Sequence, residues 1–310
     1  MKAILINEFG DANKLHIATV EMPPYGHDQL LIKVIAAGLN PVDAKIRSGK
    51  HVSCSSLQLP AVLGKDMSGI IEAMGKNVQG FAVGDEVFGC ISNTYSEYVV
   101  THPDAVVKKP ENVSFEEAAA VSLAGLTAYQ AIHEHLKVKA GQRVLIQSAA
   151  GGVGHLALQF AKISGAWVSG TASGKNLDFL KDLGLDQPID YMEERFETIA
   201  TDLDAVMDTM GGEVLYRSIA CVKPGGRVVC LPSFTKDDPK AIELARERGV
   251  ELIWFMMTAH QETLQQIAGM LKEGQLNVEV SKVFAMEEVV QAHHLIETQG
   301  VRGKVVIKIS

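Results

Sequence analysis

Between Arg143 and Lys162 the chain reads Arg-Val-Leu-Ile-Gln-Ser-Ala-Ala-Gly-Gly-Val-Gly-His-Leu-Ala-Leu-Gln-Phe-Ala-Lys, an apolar run that enters three glycines in four positions and leaves as an amphipathic helical segment. Few folds accommodate that order. An apolar strand turning tightly into a helix is the first half of a βαβ unit, and the helix N-terminus presents unpaired N–H groups and the positive end of its dipole to an anion. Gly152 leaves space for a phosphate to approach the backbone, and Gly154 lets the helix pack on the strand it follows. Ala150, Gly151, Gly152, Val153 and Gly154 therefore form a candidate pyrophosphate-binding loop, in which Ala149 replaces the first glycine of the G-x-G-x-x-G pattern.

The end of the next strand distinguishes the two nicotinamide dinucleotides. An NAD site carries Asp or Glu about 20 residues beyond the glycines, where it holds the ribose diol. Here that position falls in Gly170-Thr-Ala-Ser-Gly-Lys-Asn176, which contains no acid. Ser173 can hydrogen-bond to a 2′-phosphate and Lys175 can neutralise it, so the pattern predicts NADPH. Tyr191, after the expected third strand, is either a further contact to that phosphate or a packed tyrosine.

From Gln142 to Glu273 apolar strands alternate with helical stretches, which predicts βαβ units and a parallel sheet. Up to about residue 110 the texture differs. Short strands such as Lys2–Ile6, Gln29–Ala37, Ser68–Met74 and Glu86–Cys90, punctuated by Gly, Pro, Asn and Asp, predict a β barrel or sandwich. Ser114-Phe-Glu-Glu117 has the form of a capping box and predicts a helix start. After Gly274 come a strand, a helix and the strand Lys304–Ile309, which is expected to close the sheet of the first domain. The reading is an α/β protein in which residues 1–118 and 275–310 form a β-rich domain around an inserted dinucleotide-binding domain, residues 119–274; a chain of 310 residues has room for both.

Composition narrows the function classes. With 47% hydrophobic and 21% charged residues the chain lies far from the disordered class. No apolar run approaches the roughly 18 residues of a membrane span. The apolar stretch of the opening MKAILINEFGD is too short for a signal peptide, so a cytoplasmic location is expected. A net charge of −8 argues against a general nucleic-acid binder. Cys54, Cys90, Cys221 and Cys230 show no Cys-x-x-Cys spacing and read as small buried apolar residues. The paired histidines His133/His135 and His293/His294 lack an i,i+4 partner and read as solvated surface groups.

Several segments together resemble one family, the zinc-independent quinone oxidoreductases of the medium-chain dehydrogenase/reductase superfamily. They are Ala37-Gly-Leu-Asn-Pro-Val-Asp-Ala-Lys-Ile-Arg47, Val62-Leu-Gly-Lys-Asp-Met-Ser-Gly69, Val83-Gly-Asp-Glu-Val-Phe-Gly89, Ala124-Gly-Leu-Thr-Ala-Tyr129, the Ala149–Gly154 loop, Asp208-Thr-Met-Gly-Gly212 and Gly303-Lys304. The resemblance implies a Rossmann-type parallel sheet domain inserted in a GroES-like β-barrel domain. It implies hydride transfer from NADPH to a quinone or an α,β-unsaturated carbonyl, commonly in a homodimer, with Thr127 among the cofactor contacts. Zinc-containing relatives carry ligands at the positions held here by Asn40 and Lys65, an amide and an ammonium, and neither suits zinc. No metal is expected. By the same resemblance, Asn40, Asp43, Lys65 and Tyr95 line the interdomain cleft. Asn40 then orients the nicotinamide or the substrate carbonyl, or caps a helix starting at Pro41; Lys65 steadies an enolate; Asp66 is an acid catalyst or a structural carboxylate. An enoyl-thioester reductase and a non-catalytic NADPH-binding protein of crystallin or RNA-binding type are the alternatives.

Overall fold

A computed structural model of the chain describes residues 1–298 and 300–310. The chain divides into two compact units, Met1–Leu126 with Ala259–Ser310, and Thr127–Thr258.

The first unit begins with β1 (Lys2–Ile6), β2 (His16–Thr19), β3 (Leu30–Leu39), α1 (Pro41–Arg47), β4 (Ala61–Val62), β5 (Asp66–Met74), β6 (Glu86–Cys90), β7 (Tyr98–Thr101) and β8 (Val106–Lys108). Its strands follow the short, punctuated runs read from the sequence. The helix α2 (Phe115–Tyr129) starts where the capping box predicts: the Ser114 N–H donates to the Glu117 carboxylate at 2.9 Å, and the Glu117 N–H donates to Ser114 Oγ at 3.2 Å. A π-helical turn over Gln130–His135 follows it.

The second unit alternates strand and helix: β9 (Arg143–Ile146), α3 (Gly154–Ile163), β10 (Trp167–Ala172), α4 (Leu177–Asp182), β11 (Gln187–Asp190), α5 (Phe196–Ile199), β12 (Leu203–Asp208), α6 (Gly212–Ala220), β13 (Val222–Cys230), α7 (Pro239–Arg248) and β14 (Glu251–Ile253). All six strands pair in parallel, in the order β11-β10-β9-β12-β13-β14. Strands covered by helices on both faces need apolar residues throughout rather than alternation, and β12 is buried along nearly its whole length. Crossing from β9 to β10 on one side and to β12 on the other creates the switch point outside which such sheets take ligands.

The chain then returns to the first unit through α8 (Gln261–Lys272), β15 (Val280–Ala285), α9 (Val289–Glu297) and β16 (Lys304–Lys308). The sequence pattern predicts α8 within the inserted domain, residues 119–274. The structure places it in the β-rich unit, because the Gln261 amide donates to the Pro103 and Val106 carbonyls at 2.8 and 2.9 Å and Asn112 donates to the Leu271 carbonyl at 3.1 Å. One sheet of this unit runs β15-β16-β3-β5-β6-β8 with β7 also on β3, and a smaller one runs β2-β1-β4. Strand β16 lies antiparallel to β3, with Val305 opposite Leu39 and Lys308 opposite Ala36, so residues from the two ends of the unit share one sheet as expected. Ile4, Ile32, Met67, Ile71, Phe284 and Ile307 pack into a common core beneath these sheets.

Candidate active site

The glycine loop is held from below by a buried polar chain. Beyond β9, Gln147 donates its N–H to the Met207 carbonyl at 3.0 Å, and Ser148 takes up a left-handed conformation (φ 52°). The Ser148 N–H donates to Thr171 Oγ1 at 3.0 Å, and that hydroxyl donates to Gln147 Oε1 at 2.7 Å. Gln147 Nε2 donates to Ser218 Oγ at 3.1 Å, and Ser218 donates in turn to Asp208 at 2.9 Å. Asp208 also receives the N–H groups of Met210 and Gly211, at 2.8 and 2.7 Å. Burial pushes its carboxyl above the usual range, and these donors pull the other way. The chain of bonds fixes the carboxyl ends of β9, β10 and β12 against one another, which is where a loop must be rigid to meet an anion.

Above it, Gly151, Gly152 and Val153 are half-buried and reachable, while Gly154 is buried at the first turn of α3. A side chain at Gly154 would collide with the Ser148 carbonyl and the Ala149 backbone, so that glycine permits the helix to start this close to the strand. His155, fully buried, donates its N–H to the Gly151 carbonyl at 3.1 Å and closes the loop. The loop fits a pyrophosphate: reachable backbone, a helix start and no acidic side chain within it.

The turn after β10 carries the next candidates. Ser173 is half-buried and precedes a short 3-10 turn, Gly174–Asn176, with Lys175 exposed. Asn176 steadies it, donating its N–H to the Ser173 carbonyl at 2.8 Å and its amide to Ser173 Oγ at 3.2 Å. Tyr191 is half exposed, and its N–H donates to the Ala172 carbonyl at 3.1 Å, which brings it beside Ser173. The structure thus gathers Ser173, Lys175 and Tyr191 at neighbouring strand ends. Thr127 is half-buried in the last turn of α2.

In the β-rich unit Asn40 caps the start of α1 and is only 3% exposed. The backbone N–H of Asn40 goes to Asp43 at 2.9 Å, and its amide donates to Asp66 at 2.8 Å. Lys304 donates to the Asn40 amide oxygen and, at 2.8 Å, to the Leu39 carbonyl, and stands 3.4 Å from Asp66. The other Asp66 oxygen accepts the Leu123 N–H at 2.8 Å. Asp66 is therefore a structural carboxylate, fully enclosed. Lys65 does not join this cluster; its ammonium donates to Ser92 Oγ at 2.8 Å.

Three expectations fail here. Asp43 and Tyr95 do not line a cleft: both are wholly buried, and the Tyr95 hydroxyl donates to Asp43 at 3.2 Å. His293 is not solvated but 0% exposed, its ring 3.1 Å from Arg47 and edge-on to Tyr95. Burial and the Arg47 charge push its pKa down to about 3. Its i,i+4 spacing carried no information because it meets Arg47 across 246 residues of sequence. Of the cysteines, Cys221 and Cys230 are buried as expected, whereas Cys54, in a short 3-10 turn, and Cys90, at the end of β6, are only half-buried.

Two family models match, an alcohol dehydrogenase GroES-like domain over residues 26–111 and a zinc-binding dehydrogenase over residues 183–307. The chain is similar to 2-methylene-furan-3-one reductase of Solanum lycopersicum, at 35% identity over 99% of this chain and 79% of that protein. It is similar to quinone oxidoreductase of Homo sapiens, at 31% identity over 99% and 97%. A solved quinone oxidoreductase from Coxiella burnetii superposes with a TM-score of 0.94 at 40% identity, covering 100% of this chain and 99% of that one. The chain belongs to the quinone oxidoreductases of the medium-chain dehydrogenase/reductase superfamily.

As a member of this family the protein is an oxidoreductase of GroES-like and Rossmann-type parts, with a nicotinamide dinucleotide as its cofactor. The zinc in the name of one matching model finds poor ligands here. Asn40 supplies an amide whose oxygen already accepts from Lys304, Lys65 supplies an ammonium, and the second ammonium, Lys304, is buried against Asn40. Among the described residues no three His, Cys, Asp or Glu side chains converge to hold a metal ion. These residues do not fit zinc. Among the described residues no helix is long and apolar enough to cross a membrane.

Sequence reasoning missed one group, Asp190. It ends β11, and the parallel pairing sets it opposite Ala172, next to Ser173. The signal was available only through the register of two strands.

Proposed function

We propose that the protein transfers hydride from NADPH to a quinone or an α,β-unsaturated carbonyl compound without a metal ion. The observation that carries this reading is the chemistry of the two positions where zinc relatives have ligands: an amide locked between Asp66 and Lys304, and a lysine. With no Lewis acid to hold an alkoxide, the acceptor has to disperse its own developing charge, as a conjugated carbonyl does. The names of the relatives, an enone reductase and quinone oxidoreductases, support the same acceptor class.

When bound, the dinucleotide supplies the hydride. The chain's residues bind and orient it: Ala150 to Gly154 take the pyrophosphate, and Ser173, Lys175 and Tyr191 take the 2′-phosphate, with Thr127 a further contact. On the acceptor side Lys65 donates to the oxygen where charge accumulates. Asn40, held in one orientation by Asp66 and Lys304, orients the nicotinamide or the acceptor carbonyl.

The test is steady-state consumption of NADPH with a small quinone, an enone and a saturated ketone of similar size. Conjugated acceptors should exceed the saturated ketone by orders of magnitude in kcat/KM, and Lys65→Ala should lower turnover of the conjugated ones. Comparable turnover of the saturated ketone would defeat the proposal.

A further inference from the structure

The segment after β10 contains no acid, yet the fold delivers one to it. Asp190 accepts the Met192 N–H through Oδ1 at 3.0 Å, which turns Oδ2 toward Gly174. A Cβ at Gly174 would lie 2.5 Å from that oxygen, so the carboxylate occupies the space a side chain would take between Ser173 and Lys175. The Asp190 N–H donates to Glu194 at 3.1 Å, which brings a second carboxylate to the same turn. Both strand ends are fixed, Tyr191 by Ala172 and Ser173 by Asn176, so the carboxylate stays beside the turn.

An acid in that place is the device by which an NAD site accepts hydrogen bonds from the ribose diol and repels a 2′-phosphate. Here it arrives from the third strand rather than the second. We infer that Asp190 is a specificity-determining residue, a carboxylate that opposes the 2′-phosphate gathered by Ser173 and Lys175 and accepts from the 2′-hydroxyl of NADH. The preference for NADPH is therefore held down, and the protein uses both dinucleotides. This rests on the reading that the adenosine ribose binds at the Ser173 turn. Two like charges about 6 Å apart at an effective dielectric constant of about 40 change a binding constant about tenfold.

Fluorescence titration of the full chain with NADPH and with NADH tests it, using wild type, Asp190→Asn and Lys175→Ala. Asparagine retains an oxygen for the Met192 N–H, so the turn survives and only the charge is lost; an unchanged melting temperature checks this. Asp190→Asn should bind NADPH about tenfold more tightly than wild type and NADH no more tightly. Lys175→Ala should weaken NADPH alone. An NADPH-to-NADH ratio within twofold of wild type in Asp190→Asn would overturn the role of Asp190, while the ribose reading stands if Lys175→Ala still discriminates. Equal effects of Lys175→Ala on both dinucleotides, or no binding of either to wild type, would remove the ribose reading and this inference with it.

Discussion

Lys304 shows how one residue can hold a unit together. Its ammonium is buried among the Leu39 carbonyl, the Asn40 amide and Asp66, and Asp66 in turn reaches the backbone of α2. Removing one member of a buried ion pair costs more than the pair contributes, because the remaining charge keeps its desolvation penalty. Lys304→Met should destabilise the protein by about 3 kcal/mol or more, measured by urea unfolding. A loss below about 0.5 kcal/mol would mean that Asp66 is satisfied by Asn40 and Leu123 alone. Gly303-Lys304 is part of the family pattern in the sequence, but its partner is not legible there, since Asp66 lies 238 residues away.

Among the elements, α1, β7's approach and α9 enclose a group of titratable side chains whose effects oppose each other. Burial raises the Asp43 carboxyl to about 7 from its usual 3.8, against hydrogen bonds from Asn40 and Tyr95, and lowers His293 to about 3 from 6.5. From about pH 4 to 6.5 the folded chain holds a proton on Asp43 that the unfolded chain lacks, so this group lowers stability as pH rises. Over the same range the unfolded chain holds a proton on His293 that the folded chain lacks, so that group raises stability as pH rises. The two slopes cancel in wild type. Relative to wild type, Asp43→Asn should therefore gain stability with rising pH by about 1 kcal/mol per unit across this window, and His293→Asn should lose about as much. Parallel pH profiles for the two variants would show that the protons are not distributed in this way. At this scale the capping box, the glycine turn and most strands were legible, because each is a local pattern. The burial of Asp43, Tyr95 and His293 was not, because polar residues on short strands and helices reveal their facing partners only once the sheet is assembled.

For the whole molecule, the sequence carried the two-part architecture and the split β-rich unit. It did not carry the allegiance of α8, which two glutamine hydrogen bonds and an asparagine decide. A prediction at this scale concerns metal content: protein purified without chelator should hold well under one zinc per chain, and EDTA should leave its turnover unchanged. Stoichiometric zinc whose removal abolishes activity would require ligands other than Asn40 and Lys65. Strand β16 has a consequence for the order of events during translation. It covers Ala36–Leu39 of β3, yet the ribosome makes it roughly 10–35 s after the first part of the unit, at about 5–20 residues per second. In that interval the parallel sheet can complete itself while the nascent β-rich half waits with an open strand edge and with Asp66 lacking its cation. The vulnerability of that edge comes from the timing of its partner rather than from its own residues.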